Sequence, residues 1–309
     1  MAVMSSSRQP RIVIIGSVNM DLVVRASHVP APGETVLGGA FATIPGGKGA
    51  NQAVGVARLG AEAVMVGRVG DDAFGRRLLA GLRENGVETS FVRETPETPS
   101  GIALIVVGDD GQNAITVAGG ANARVSPADV DAARPALGGA RVCLLQLELP
   151  VETVLHAIEL CRRLGVETIL DPAPAPVGAP EALFQVDVLT PNESEAALLT
   201  GLSGSAEPRR IAEALVARGA GGVVLKRGAD GAYVFAPPTA GEVPGFAVQV
   251  VDSTAAGDAF TAALAVARAA GQPLESAVRF ANAAGALACT KLGAQPSLPT
   301  LADVNALLT

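Results

Sequence analysis

RVCLLQLELPVETVLHAIELCRRLGVETIL, residues 141–170, changes hydrophobic pattern twice. RVCLLQL (141–147) is a short apolar run of the kind that forms a core strand. VETVLHAIELCRRLG (151–165) carries a helical pattern, and VETIL (166–170) returns to strand. A strand, a helix and a second strand in so short a span point to a parallel sheet covered by helices.

The same alternation extends in both directions. RIVIIGSV (11–18) reads as a buried strand, ANQAVGVARLG (50–60) as a helix stopped by Gly60, and AVMVGRVG (63–70) as a strand. FGRRLLAGLRENG follows, with Phe74, Leu78, Leu79 and Leu82 on one helical face and Gly86 as a C-cap. DVLT (187–190) and GVVLKRG (222–228) read as further strands, and the tail from Asp258 is mostly helical. The expected fold class is α/β: a doubly wound, mostly parallel sheet flanked by helices.

Two segments depart from this rhythm. DLVVRA and ETVLGGAFATI, within 21–44, have no helical period. IALIVVGDDGQNAITVAGG (102–120) reads as a hairpin turning at DDGQN. Together they predict a small antiparallel β lid over a substrate cleft, whose free edges also suit a homodimer contact. The core then comprises 1–18, 45–98 and 121–309, and the lid 19–44 and 99–120. DPAPAPVGAP (171–180) is a proline-rich loop too short to join two domains.

Composition narrows the function classes. Of 309 residues, 49% are hydrophobic and 17% charged, enough for one large core with a small appendage. No apolar run approaches the roughly 18 residues of a membrane span. MAVMSSSRQPR (1–11) lacks the apolar stretch of a secretory signal and reads as a disordered lead-in. A net charge of −7, mixed signs and no tryptophan argue against a nucleic-acid partner. Cys143, Cys161 and Cys289 are scattered and odd in number, which suits reduced thiols and a cytoplasmic protein. His28 and His156 are isolated and cannot build a histidine-rich metal site, so a catalytic base is expected to be a carboxylate.

GGKGANQAV (46–54) places a lysine among glycines ahead of a helix. A P-loop needs G-x-x-x-x-G-K-[ST], but Ala42 stands at the first glycine and Gly49 at the hydroxyl position. VDSTAAGDAFTAALAVA (251–267) runs small residues into a helix whose first turn holds Gly257 and Asp258. Free N–H groups at a helix start attract anions, and Gly257 allows close backbone approach. Asp258 also suits plain N-terminal capping. As a carboxylate beside an anion hole it suits phosphoryl transfer, taking the proton of an attacking hydroxyl.

GSVNMD (16–21), PGETV (32–36), GGKGANQ (46–52), QLELP (146–150), TPNESE (190–195), DSTAAGD (252–258) and GAQPS (293–297) occur in one order. With these motifs the chain resembles the PfkB carbohydrate kinase family from about residue 11 to the C-terminus. The resemblance implies phosphoryl transfer from ATP to O5 of D-ribose. The alternatives are another small sugar (deoxyribose, fructose, a keto-deoxy sugar acid) or a nucleoside. A non-catalytic sugar- or nucleotide-binding protein would be expected to have a broken base or anion hole, whereas Gly257 and Asp258 are intact.

By that resemblance, Asn19, Asp21, Gly46, Gly47, Lys48, Gly49, Asn51 and Glu148 bind the sugar. Asp258 is the base, and the amides of Ala255, Ala256, Gly257 and Asp258 form the anion hole. Asn192 serves the nucleotide and Glu195 the Mg²⁺–phosphate water shell. The pair also fits a capping-box variant. Lys226, Arg227, Gly228, Ala229, Asp230 and Gly231 match a loop that contacts ATP, and Asn282 a residue near adenine. Asp252, Thr254, Ala288, Lys291, Gly293 and Ser297 match the ligands of an activating K⁺, mostly through carbonyls. Three residues depart from the family pattern: Ser253 and Lys226 stand where threonine is common, and Asp171 stands where asparagine precedes PAPA.

Overall fold

The computed structural model describes residues 9–203 and 205–309, so the lead-in expected to be disordered lies outside the described residues through Arg8. In chain order the strands are β1 (Arg11–Ile15), β2 (Asn19–Ala26), β3 (Phe41–Gly46), β4 (Glu62–Gly70), β5 (Glu88–Thr95), β6 (Gly101–Gly108) and β7 (Asn113–Ala118). Then come β8 (Val142–Leu145), β9 (Glu167–Leu170), β10 (Val188–Leu189), β11 (Gly222–Lys226), β12 (Ala232–Ala236) and β13 (Thr239–Val243). The helices begin with α1 (Lys48–Arg58), α2 (Ala73–Glu84), α3 (Pro127–Ala132), α4 (Arg134–Leu137), α5 (Val151–Leu164) and α6 (Glu193–Thr200). They end with α7 (Pro208–Ala217), α8 (Ala256–Ala269), α9 (Leu274–Ala288), α10 (Ala294–Ser297) and α11 (Leu301–Leu308).

The β8–α5–β9 unit forms as expected, with β8 and β9 parallel and paired from Val142–Glu167 to Leu145–Leu170. The nine-stranded sheet runs β13-β12-β11-β10-β9-β8-β1-β4-β5. Every pairing from β11 to β5 is parallel, and only the β12–β13 hairpin turns back. Strands such as β8 (VCLL) are fully buried because helices cover both faces. Helices α1, α8 and α9 pack with Ile12, Ile14 and Leu144 on one side. Helices α5 and α7 pack with Val13, Ile15 and Leu145 on the other.

Neither β5 nor the β12–β13 hairpin is signalled by the sequence pattern, because both interleave charged or small residues with apolar ones. DVLT contracts to the two residues of β10, and RVCLLQL loses its last two to a loop at the carboxyl edge of the sheet.

The second sheet runs β3-β2-β6-β7 and occupies the segments expected for the lid. Its β2–β3 and β6–β7 pairs are antiparallel, and a parallel β2–β6 pair joins the two hairpin arms. In that register Asp21 sits opposite Ile44 and Ala103. Among the described residues, no helix is long and apolar enough to cross a membrane.

Candidate active site

In an open α/β sheet, ligands bind where parallel strands end and the strand order reverses. Here the chain progresses from β1 toward β4 and β5, and from β8 toward β9, β10 and β11, so the reversal lies between β1 and β8. At or past the carboxyl ends of these strands come Ser17 and Asn19, Gln146 and Glu148, Asp171, Asn192, and Lys226, the last residue of β11.

Glu148 organises the residues expected to bind the sugar. Its Oε2 accepts hydrogen bonds from the Ser17 hydroxyl, Asn19 Nδ2 (3.4 Å) and the Lys48 amide (3.2 Å). Asn19 Oδ1 accepts from Asn122 (2.6 Å), whose own Oδ1 accepts from the Val18 amide (2.9 Å). Asn122 carries no sequence signal of its own. It reaches the site because the turn after β7 (Gly120–Arg124) packs against β4 and β6.

Asp21 is 9% exposed and accepts no hydrogen bond from the described residues. Burial, then Glu148 and Asp258, push its carboxyl up to about 7. Gly46 fits against it because a β-carbon there would lie 2.2 Å from Asp21 Oδ2. Gly47 has φ +88°, which glycine adopts without strain, and caps α1.

Asp258 lies in the first turn of α8, 5% exposed. Its Oδ2 accepts from Asn51 (2.9 Å) and its Oδ1 from Gln52 (3.2 Å). Gln52 Nε2 also donates to Asp171 Oδ2 (3.1 Å), and Gln52 Oε1 accepts from Gln146 (2.6 Å). Asn51 Oδ1 is buried without a partner among the described residues. Burial pushes the Asp258 carboxyl up to about 6. Lys48 opposes that rise, Asp171 adds to it, and the two amide donors oppose it. Burial pulls the Lys48 ammonium down, but Asp258, Asp171, Glu148 and Glu195 outweigh it and hold its proton more tightly than usual.

Ala255 precedes α8 with φ +60°, a left-handed conformation that turns the chain into the helix. The Ala256 amide donates to the Ser253 carbonyl (3.2 Å), so it is less free for an anion than expected. The amides of Gly257 and Asp258 donate to no described residue.

Among the residues expected to serve the nucleotide, Asn192 and Glu195 form the expected capping box on α6, each side chain accepting from the other's amide at 2.8 Å. Asn192 Nδ2 and Glu195 Oε1 have no partner among the described residues. Gly228, Ala229 and Asp230 make a single tight turn after β11, closed by Gly231 at φ +87°. Arg227 donates to Glu242 (3.0 Å) and lies 3.7 Å from Asp230 and 3.8 Å from Glu193, while its buried Nε has no partner among the described residues. Both N–H donors of Asn282 go to the Val243 and Pro244 carbonyls (2.9 and 3.0 Å), leaving only its Oδ1 for an adenine.

The residues matched to a monovalent cation gather on two joined segments. Asp252 Oδ1 accepts from the Thr254 amide and hydroxyl (2.9 and 2.6 Å), and its Oδ2 accepts from the Gly293 amide (2.8 Å). The Ala288 carbonyl accepts weakly from Lys291 (3.4 Å), and Ser297 Oγ donates to the Ala294 carbonyl (2.7 Å). The carbonyls of Thr254, Lys291 and Gly293 accept nothing from the described residues. This oxygen-only donor set fits a hard cation.

Residues 9–301 match the family described as pfkB family carbohydrate kinase. A ribokinase from Bacillus subtilis (strain 168) is 43% identical over 298 residues, covering 96% of this chain and 99% of the relative. A deoxyribokinase from Salmonella typhi is 36% identical over 301 residues, covering 96% and 98%. The solved structure of an Arabidopsis thaliana ribokinase complexed with ribose and ATP has a TM-score of 0.89 at 35% identity, covering 98% of this chain and 99% of that one. The family match and the curated relatives each span nearly the whole chain, and the protein belongs to the pfkB family of carbohydrate kinases.

Proposed function

We propose that the protein transfers the γ-phosphoryl group of ATP to O5 of D-ribose, giving ADP and D-ribose 5-phosphate. The observation that carries this reading is the position of Asp258. It is buried at the mouth of α8, with Asn51 and Gln52 on its carboxylate and two free amides beside it. Among the described residues Asp21 has no donor and Asn51 Oδ1 no partner, so both are acceptors suited to sugar hydroxyls. Asp258 accepts the O5 proton as the O–P bond forms, and the amides of Gly257 and Asp258 receive the charge on the phosphoryl oxygens.

Asn192 Nδ2 and Glu195 Oε1 remain available to the nucleotide and to the water shell of Mg²⁺, which when bound neutralises the phosphate charge. K⁺, bound by the carbonyls around Asp252 and Gly293, would order the loop leading into the anion hole. The three free thiols, Cys143, Cys161 and Cys289, suit the reducing cytoplasm.

2-Deoxyribose is the second candidate, because one relative of similar identity is a deoxyribokinase. A coupled ADP-release assay over ribose, 2-deoxyribose, fructose and a nucleoside, with and without K⁺, tests the reading. Ribose is expected to give the highest kcat/KM, with K⁺ raising the rate. ADP release no faster with ribose than without sugar would overturn it.

The lid motivates a homodimer. Its register places Val117 and Ile115 on the face that Asp21 shares, and they are 46% and 55% exposed. Apolar side chains so exposed beside a substrate face suit cover by a second lid. Light scattering should report a dimer that Ile115→Glu shifts toward monomer. A wild-type monomer at micromolar concentration would remove the proposal.

A further inference from the structure

Gln146 and Asp171 leave adjacent strands at the same level of the sheet. Gln146 follows Leu145 of β8, Asp171 follows Leu170 of β9, and Leu145 and Leu170 pair in register. The Asp171 amide donates to the Leu145 carbonyl (2.9 Å), which carries the ladder one step past both strands. Both side chains are buried and start from backbone that the sheet fixes.

Gln52, on α1, is buried and meets both of them. Its Oε1 accepts from Gln146 Nε2 (2.6 Å), and its Nε2 donates to Asp171 Oδ2 (3.1 Å) and to Asp258 Oδ1 (3.2 Å). Charge fixes the direction of this carboxamide. Ionised carboxylates only accept, so its NH₂ end faces them and its oxygen faces the donor on Gln146. The nitrogen carries two N–H groups, one for each carboxylate. Asp171 is itself anchored, because Lys226 donates to its other oxygen (2.8 Å). Two of the three bonds thus tie Gln52 to the edge of the sheet, and the third reaches Asp258. Asn51 holds the other oxygen of Asp258 from the same helix.

We infer that Gln52 is a positioning residue for Asp258, a fork that ties the carboxylate at the start of α8 to the fixed ends of β8 and β9. This rests on the kinase reading proposed above. Gln52 acts through Asp258 and touches neither sugar nor nucleotide. With Asn51 it sets the plane of the carboxylate, and each oxygen keeps acceptor capacity for a hydroxyl. It also places a shared donor between two buried carboxylates that would otherwise face each other unscreened.

Steady-state and single-turnover kinetics, with calorimetric titration of ADP, test the inference on the whole protein. Gln52→Met keeps the length of the side chain and removes all three bonds. It should lower kcat about 10- to 100-fold, the cost of a displaced catalytic group, while KM for ribose and ADP affinity stay as in wild type. In an Asp258→Asn background the same substitution should cost almost nothing further, because no base remains to be positioned. A residue that only held α1 in place would raise KM for ribose and cost as much in either background. Wild-type kcat in Gln52→Met, an equal loss in both backgrounds, or a loss carried by KM alone would overturn the inference. If Gln52→Met binds no ADP and so has not folded, Gln146→Met, which strips Gln52 Oε1 of its donor, carries the same expectations. A wild-type protein that releases no ADP on adding ribose would instead overturn the kinase reading beneath it.

Discussion

Asp258→Asn is expected to lower kcat by about 10²–10⁴-fold, the usual worth of a positioned general base, while ADP still binds. The asparagine keeps the size of the side chain and an acceptor for Asn51 or Gln52, so α8 and its amides stay in place. What disappears is the group proposed to take the O5 proton. A carboxyl held at about 6 is a stronger base than an ordinary aspartate at about 4, and burial is the main reason. It is ionised at pH 7 and protonates as pH falls through about 6. The kcat/KM profile of the wild type should therefore fall about tenfold per unit below that point. Asp21, held at about 7, adds a second step that bears on sugar binding.

The same shift has a consequence for stability. In the unfolded chain this carboxyl titrates near 4. Between about 4 and 6 the native state binds more protons than the unfolded state, so stability falls as pH rises through that window. Above it, the buried charge costs on the order of 2 kcal/mol. Asp258→Asn should then melt higher than wild type at pH 8, and the two curves should converge toward pH 4. Single-turnover kinetics and thermal melts at both pH values measure the two effects. Near-wild-type turnover in the variant would remove Asp258 from its role.

Why the sequence reveals some of this and not the rest follows from the kind of signal each part leaves. Period and turn chemistry are local, so β1, α1, β4, α2, α5 and both lid hairpin arms are legible along the chain. β5 is not, because an edge strand that alternates charged and apolar residues resembles a loop. The residues of the DSTAAGD and GGKGANQ motifs are legible through the family resemblance, because an aspartate at a helix start taken alone suits a plain N-cap equally well. Gln52 lies inside the second motif but suggests no role, since its partners are 119 and 206 residues away. Asp171 and Lys226 each stand out as departures. Their pairing across 55 residues is a fact of the fold alone. Asn282 shows the opposite limit: residue type suggests a ligand contact, and the structure commits both of its N–H donors elsewhere.

Gly49→Ala is the other substitution with a large expected effect, although it adds a single methyl group. A β-carbon at Gly49 would lie 2.6 Å from the Gly16 carbonyl carbon and the Ser17 nitrogen, and 2.7 Å from the Gly16 α-carbon. Those are backbone atoms, so no side chain can swing aside. The N-terminus of α1 must move away from the β1–β2 loop until the contact approaches 3.4 Å. That movement pulls at the bonds from the Ala50 amide to the Ser17 carbonyl (2.9 Å) and from the Lys48 amide to Glu148 (3.2 Å). Lys48, Asn51 and Gln52 ride on α1, whereas Asn19 and Asp21 follow the loop, so the two halves of the sugar site separate. Misplacement by about 1 Å costs about 10²-fold, and overpacking a tight contact costs about 1–3 kcal/mol of stability. The expected result is a kcat/KM for ribose reduced at least about 100-fold and a lower melting temperature. ADP affinity should be largely kept, because α6 and β11 do not touch the strained contact. Gly81→Ala is the matched control. It lies in α2, its β-carbon would meet nothing within 4 Å, and alanine there should add about 0.5–1 kcal/mol without touching activity. If Gly49→Ala turned over ribose like wild type, or lost ADP as fully as sugar, the close packing of α1 on the β1–β2 loop would not be what holds the two halves of the sugar site together.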